Sequence, residues 1–158
     1  MRKCSLALIL ALVGCAQGPR EEIARAPSAA ASWLQGVARA HTQADAQRGD
    51  AARRVLEAAR ARVVPAAVTA ADRRQILQDL QFRLAALALD AADPARASAE
   101  AARGLALGQA DDTYTTNLLI VQGRAAGVLG QHDAAAAAFA SALSIHERLL
   151  QRALEGAP

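Results

Sequence analysis

Alanine occupies forty-four of the 158 positions of this chain while aromatic residues make up only 3%, and that imbalance limits the fold more than any other feature. Alanine has the highest helix propensity of any residue, and its single methyl group lets helix axes approach to the lower end of the usual 8–10 Å or so. Strands, by contrast, draw on β-branched and aromatic side chains. The composition therefore predicts an all-α fold of closely packed helices, one domain in size. Each alanine buries little surface, so stability has to come from the sparse larger side chains: Trp33, Leu56, Leu80, Leu84, Leu87, Leu119, Leu129, Phe139, Leu143 and Leu149.

The amino terminus has a different pattern. Arg2 and Lys3 precede eight apolar residues, Leu6 to Val13, which the run Leu12-Val13-Gly14-Cys15 closes. Eight residues of helix reach about 12 Å, against about 30 Å of bilayer hydrocarbon, so the stretch is too short for a transmembrane helix and has the architecture of a signal peptide. Leu12-Val13-Gly14-Cys15 resembles the lipobox of bacterial lipoproteins. The resemblance implies a signal peptide over residues 1–14, a lipidated Cys15 as the first residue of the mature chain, and a membrane anchor of several acyl chains. Cys4 would leave with the signal, so no thiol or disulfide would remain in the mature protein. The family's sorting rules place Asp after the cysteine in inner-membrane proteins. Ala16 stands there, which favours the outer membrane, facing the periplasm. Residues 15–27, with Gly18, Pro19, Pro27 and four interspersed charges, form a flexible tether, and residues 28–158 form the helical domain.

Charge removes one class of partner. Of eighteen Lys and Arg residues, two belong to the signal, leaving sixteen against fifteen acidic ones. A nearly neutral body without a basic face argues against nucleic acid as a partner.

From Ser28 onward, turn signals divide the chain into pieces of helical length. Leu119, Gly123, Gly130, Ala135, Phe139, Ala142 and Leu143 fall at spacings that resemble a tetratricopeptide repeat. Gly123 allows close approach of the paired helix, Gly130 ends the first helix, and Ala135, Phe139, Ala142 and Leu143 lie on one face of the second. Ala126, His132 and Glu147 depart from the family's pattern. Ala97, Ala101, Gly104 and Leu105 repeat the offsets behind Asp93-Pro94, a natural cap and first helical residue. Ala52, Leu56 and Ala59 repeat them more weakly, with Arg60 in place of a leucine. Ala52, Ala97 and Ala135 stand 45 and then 38 residues apart, the longer interval holding Val63-Val64-Pro65 and the cap-like Thr69-Ala70-Ala71-Asp72. The resemblance implies a short array of about three antiparallel helical hairpins with a long final helix closing the stack. A compact α-helical bundle is the alternative.

Catalytic and cofactor machinery is not visible in the sequence. Ser98, Ser141 and Ser144 sit inside predicted helices without a glycine-flanked elbow, and no phosphate-binding glycine loop occurs. Asp111-Asp112 reads as a helix start that complements the dipole. His41 and Asp45 share a helix face but lack further ligands, so neither metal nor cofactor is expected. If the hairpins stack, their first helices line a concave face, on which Asp79, Arg83, Asn117, Gln122 and Arg124 are candidate contacts for another envelope protein. Trp33 reads either as a partner anchor or as a lid on the core. The expected function is a non-catalytic, membrane-anchored adaptor or assembly factor. The anchor-plus-repeat combination is similar to that of pilotin lipoproteins at the level of fold. A structural accessory subunit of an envelope complex and, third, a small-ligand-binding or hydrolytic lipoprotein are the alternatives.

Overall fold

A computed structural model describes residues 28–156. Cys15 and the segments read above as signal peptide and tether, up to residue 27, lie outside the described residues. Six helices make up the body: α1 (Ala29–Asp45), α2 (Gly49–Arg60), α3 (Ala70–Asp90), α4 (Pro94–Leu105), α5 (Thr113–Val128) and α6 (His132–Glu155). Among the described residues there is no strand, and no helix is long and apolar enough to cross a membrane.

The starts of four helices follow from local chemistry. Ser28 Oγ accepts from Ala31 N at 3.1 Å, Thr69 Oγ1 from Asp72 N at 3.1 Å, Asp93 Oδ1 from Arg96 N at 3.0 Å, and Asp112 Oδ1 from Thr115 N at 2.9 Å. Each satisfies an amide that the helix itself cannot. The turns leaving α3 and α5 are alike. Asp93 N donates to Ala88 O at 2.8 Å and Gln131 N to Ala126 O at 2.8 Å, with the left-handed position taken by Ala92 (φ 56°) in one and Gly130 (φ 72°) in the other. Both are Schellman closures, and both turn the chain straight into the next helix. The second helices start at Gly49, Pro94 and His132, at the intervals of 45 and 38 that the sequence pattern gives.

Each helix packs on the next one along the chain, α3 also packs on α5, and α1 has no packing with α5 or α6. A closed bundle would bring its first and last helices together. This chain instead runs as an open succession of hairpins, α1/α2, α3/α4 and α5/α6. Two cores share α3. Leu80 and Leu84 face Trp33, Val37 and Leu56, whereas Ala85 and Ala88 face Ala97, Ala101, Leu118, Val121, Ala125 and Ile145. The second core is mostly alanine, and glycine brings its helices closer still. A Cβ added at Gly104 would stand 2.7 Å from both terminal methyl groups of Leu118, and one at Gly123 would stand 2.8 Å from the Phe139 ring.

Three expectations of core burial need correction. Leu129, Phe139 and Leu143 are 41%, 42% and 60% exposed rather than core residues. On α6 the inward face is taken by Ala135, Ala138, Ala142 and Ile145, while the Phe139 ring meets α5 at the edge of that face, over Gly123. The final helix leaves these apolar side chains on its outer surface. Arg60, the apparent misfit of the first hairpin, donates to Glu100 Oε2 at 2.9 Å and so joins α2 to α4.

Candidate functional site

Two helical steps of four residues, one on α1 and one on α3, bring the first candidate residues together. His41 Nε2 lies 3.2 Å from Asp79 Oδ2, and Arg83 Nη1 donates to Asp45 Oδ1 at 2.9 Å while its Nε reaches Asp79 Oδ2 at 3.3 Å. Because 41 pairs with 79 and 45 with 83, α1 and α3 run in the same direction, as first helices of successive hairpins must. Glu57–Arg96 at 2.8 Å and Arg60–Glu100 at 2.9 Å give the same sense for α2 and α4. The ion pairs thus form rungs between equivalent helices on both sides of the array. The His41–Asp79 approach lacks hydrogen-bond alignment, and the imidazole nitrogen is buried without a partner. Burial, and then the Arg83 charge, hold the His41 pKa below its ordinary value, while Asp79 and Asp45 oppose them. The fold favours the neutral ring.

Beside this cluster a cleft runs between the end of α1 and the second half of α3. One part, about 310 Å³, is lined by Ala44, Leu56, Phe82, Arg83, Ala86 and Leu87. The adjoining part, about 580 Å³, is lined by Gln47, Arg48 and Ala91 and shares Ala44, Asp45, Leu87 and Asp90 with the first. The walls are apolar at Phe82, Ala86 and Leu87, with exposed carboxylates at Asp45 and Asp90. Asp45 is already paired to Arg83, whereas Asp90 has no ion pair among the described residues. The cleft therefore offers an apolar seat with an uncommitted carboxylate, Asp90, at its narrower part, and Arg48, likewise without an ion pair among the described residues, at the adjoining part.

The remaining candidates do not join this site. Asn117 and Gln122 are half-buried on α5 and Arg124 is exposed. Asn117 and Arg124, seven residues apart, share a face; Gln122 points about 140° away from Asn117. Among the described residues, no side-chain hydrogen bond or ion pair connects any of the three to Asp79 or Arg83. Trp33 is 3% exposed and belongs to the core, not to a surface anchor. Sequence reasoning missed Phe82, Ala86, Leu87 and Asp90; the signal available was the continuation of the Asp79 and Arg83 line by Ala86 and Asp90 at helical steps.

Other buried polar groups hold neighbouring elements together. Glu100, 2% exposed, accepts from Arg60 and from Arg103 at 2.7 Å. Gln78 Nε2 donates to the Gly104 and Gly108 carbonyls at 3.3 and 2.7 Å, closing the end of α4. Burial pushes the Asp112 carboxyl upward, but the Thr115 amide and the Arg74 guanidinium outweigh it and leave its pKa below the ordinary carboxylate value. Asp111 accepts from Arg148 at 2.7 and 2.9 Å, which ties the entry to α5 to the middle of α6. Ser141 Oγ donates to the Ala137 carbonyl and Ser144 Oγ accepts from Arg148, so both hydroxyls are engaged in local bonds. No cluster of three or more His, Cys, Asp or Glu side chains among the described residues is placed to hold a metal ion.

Compared with known proteins, the chain matches no family model, no curated protein and no solved structure.

Proposed function

We propose that this chain is a lipid-anchored, non-catalytic adaptor of the bacterial envelope, held at the membrane through Cys15, whose helical array grips a segment of another envelope protein. A tetratricopeptide-like stacking of its hairpins accounts for the parallel first helices and the parallel second helices. The observation that carries the reading is the cleft between α1 and α3. It pairs the apolar side chains of Phe82 and Leu87 with the carboxylate of Asp90. That chemistry suits a peptide segment bearing one apolar anchor next to a lysine or arginine, buried edge against pocket with the charge at the rim. The outer membrane, facing the periplasm, is the location that Ala16 after the lipidated cysteine favours.

The test is recovery of the full-length protein from native membranes, with mass spectrometry of its amino-terminal peptide and of co-purifying proteins, for the unsubstituted chain and for Asp90→Lys. Asp90 is exposed at the end of α3, where a lysine complements the helix dipole, so the fold survives the change. The account expects an acylated Cys15 and one stoichiometric envelope protein that is lost with Asp90→Lys. An unmodified amino terminus, or a partner indifferent to the substitution, contradicts it.

A further inference from the structure

Helix α6 has two apolar faces, and the array covers only one of them fully. Ala135, Ala138, Ala142 and Ile145 are buried; Phe139 lays part of its ring against Gly123 of α5 but stays 42% exposed, and Leu143, Leu150 and Leu154 are 60%, 61% and 70% exposed. At 100° per residue these four fall within about 60° of arc, on a seam about 22 Å long. Arg148 and Arg152, bound to Asp111, leave the helix on the far side and do not obstruct it. An apolar strip on an otherwise mixed surface, interrupted only by exposed His146 and Glu147 at its centre, marks an interaction site.

The strip reads the same in both directions. Phe139 and Leu154 lie equally far from the bond between His146 and Glu147, and so do Leu143 and Leu150. A two-fold contact requires that when residue i meets residue j, residue j also meets residue i. A surface made for an unrelated partner needs no such symmetry. We infer that the exposed seam of α6 is an isologous interface for a second copy of this chain, the two α6 helices packing antiparallel about a two-fold axis at the His146–Glu147 midpoint. Phe139 then packs on Leu154 of the second copy and Leu143 on Leu150. At the centre, His146 stands level with Glu147 of the second copy. This solvent-facing polar step adds register rather than affinity. One helix face covers less than the roughly 800 Å² per partner of a standard interface, so the contact is reversible, with dissociation between about 1 and about 100 μM. The interface lies on α6, away from the α1/α3 cleft, and stands independently of the adaptor reading.

The register makes the test specific. Full-length chains carrying Leu143→Cys or Leu150→Cys, differently tagged and kept in a mild detergent, are oxidised separately and as a mixture, with the unsubstituted chain reporting the background from Cys4 and Cys15. The expected result is a covalent heterodimer in the mixture, about tenfold above either chain alone. Sedimentation equilibrium should find a dimer that Leu143→Glu weakens about tenfold or more, with helical circular dichroism and melting temperature unchanged. A monomer at about 100 μM, a Leu143→Cys chain that links to itself as readily as to its counterpart, or a dimer untouched by Leu143→Glu would each overturn the inference.

Discussion

Two glycines in this array should respond to alanine with opposite signs. At Gly104 the new methyl would stand 2.7 Å from Cδ1 and Cδ2 of Leu118 and 3.1 Å from Cβ of Gln81. Ordinary carbon contacts are about 3.5–4.0 Å, so neighbours must yield by close to an ångström. Leu118 is fully buried at 0% exposure and has nowhere to go. Overpacking of this kind costs about 1–3 kcal/mol, against a gain of up to about 1 kcal/mol from replacing glycine in a helix. Gly104→Ala therefore destabilises the chain by about 1–2 kcal/mol. At Gly123 the approach is as close, 2.8 Å, but the obstacle is the ring of Phe139, which is 42% exposed and can swing outward. The propensity gain then equals or exceeds the packing loss, and Gly123→Ala is neutral or stabilising by up to about 1 kcal/mol. Urea denaturation followed by circular dichroism separates the two. Equal destabilisation of both variants would refute the argument that the freedom of the facing side chain decides the outcome.

The twin turns give a matched pair: Ala92→Gly should stabilise and Gly130→Ala destabilise, each by about 1 kcal/mol, because both positions adopt a left-handed backbone; thermal melts check both. Replacing Glu100 with Ala should cost about 1.5–3 kcal/mol, below the roughly 3–5 kcal/mol of fully buried ion-pair losses because Arg60 and Arg103 retain access to water, and a double-mutant cycle with Arg60→Ala should return a coupling of about 1 kcal/mol or more. His41 has its pKa lowered in the fold, so the unfolded chain binds a proton first as pH falls. Stability is then fully present above the ordinary histidine value near 6.5 and declines as pH falls from there through the folded value. His41→Gln should flatten that part of a stability-against-pH curve; an unchanged slope would locate the effect elsewhere.

The parts of the fold that were legible in the sequence are those governed by local chemistry. Thr69, Asp93 and Asp112 accept amide hydrogens at the starts of their helices, and such caps depend on residues three positions away. The spacing of the second helices was readable because the small residues that permit close packing, Ala52, Ala97 and Ala135, are all buried. The orientation of α6 was not. Its alanine face and its Phe139–Leu143 face are both apolar, so periodicity alone cannot choose between them; the short distance to α5 does. Arg60 looked like a defect because its partner Glu100 stands 40 residues further along the chain. Ala92 in a left-handed turn breaks the preference for glycine, and only the hydrogen bond from Asp93 to Ala88 identifies it. At the candidate site, Asp79 and Arg83 read as outward-facing. Their partners, His41 and Asp45, are 38 residues earlier, a distance over which no local rule operates.

The claim that matters most is that the α1/α3 cleft seats a peptide segment of another envelope protein, and site-specific photocrosslinking in native membranes addresses it directly. A photoreactive residue replaces exposed Gln47 at the cleft, leaving Asp90 in place, in one full-length chain and exposed Arg54 on α2 in another. The account predicts a single envelope protein crosslinked from position 47, through a segment carrying an apolar residue beside a basic one, and none from position 54. Identical crosslinking from both positions, or none from position 47, would contradict it.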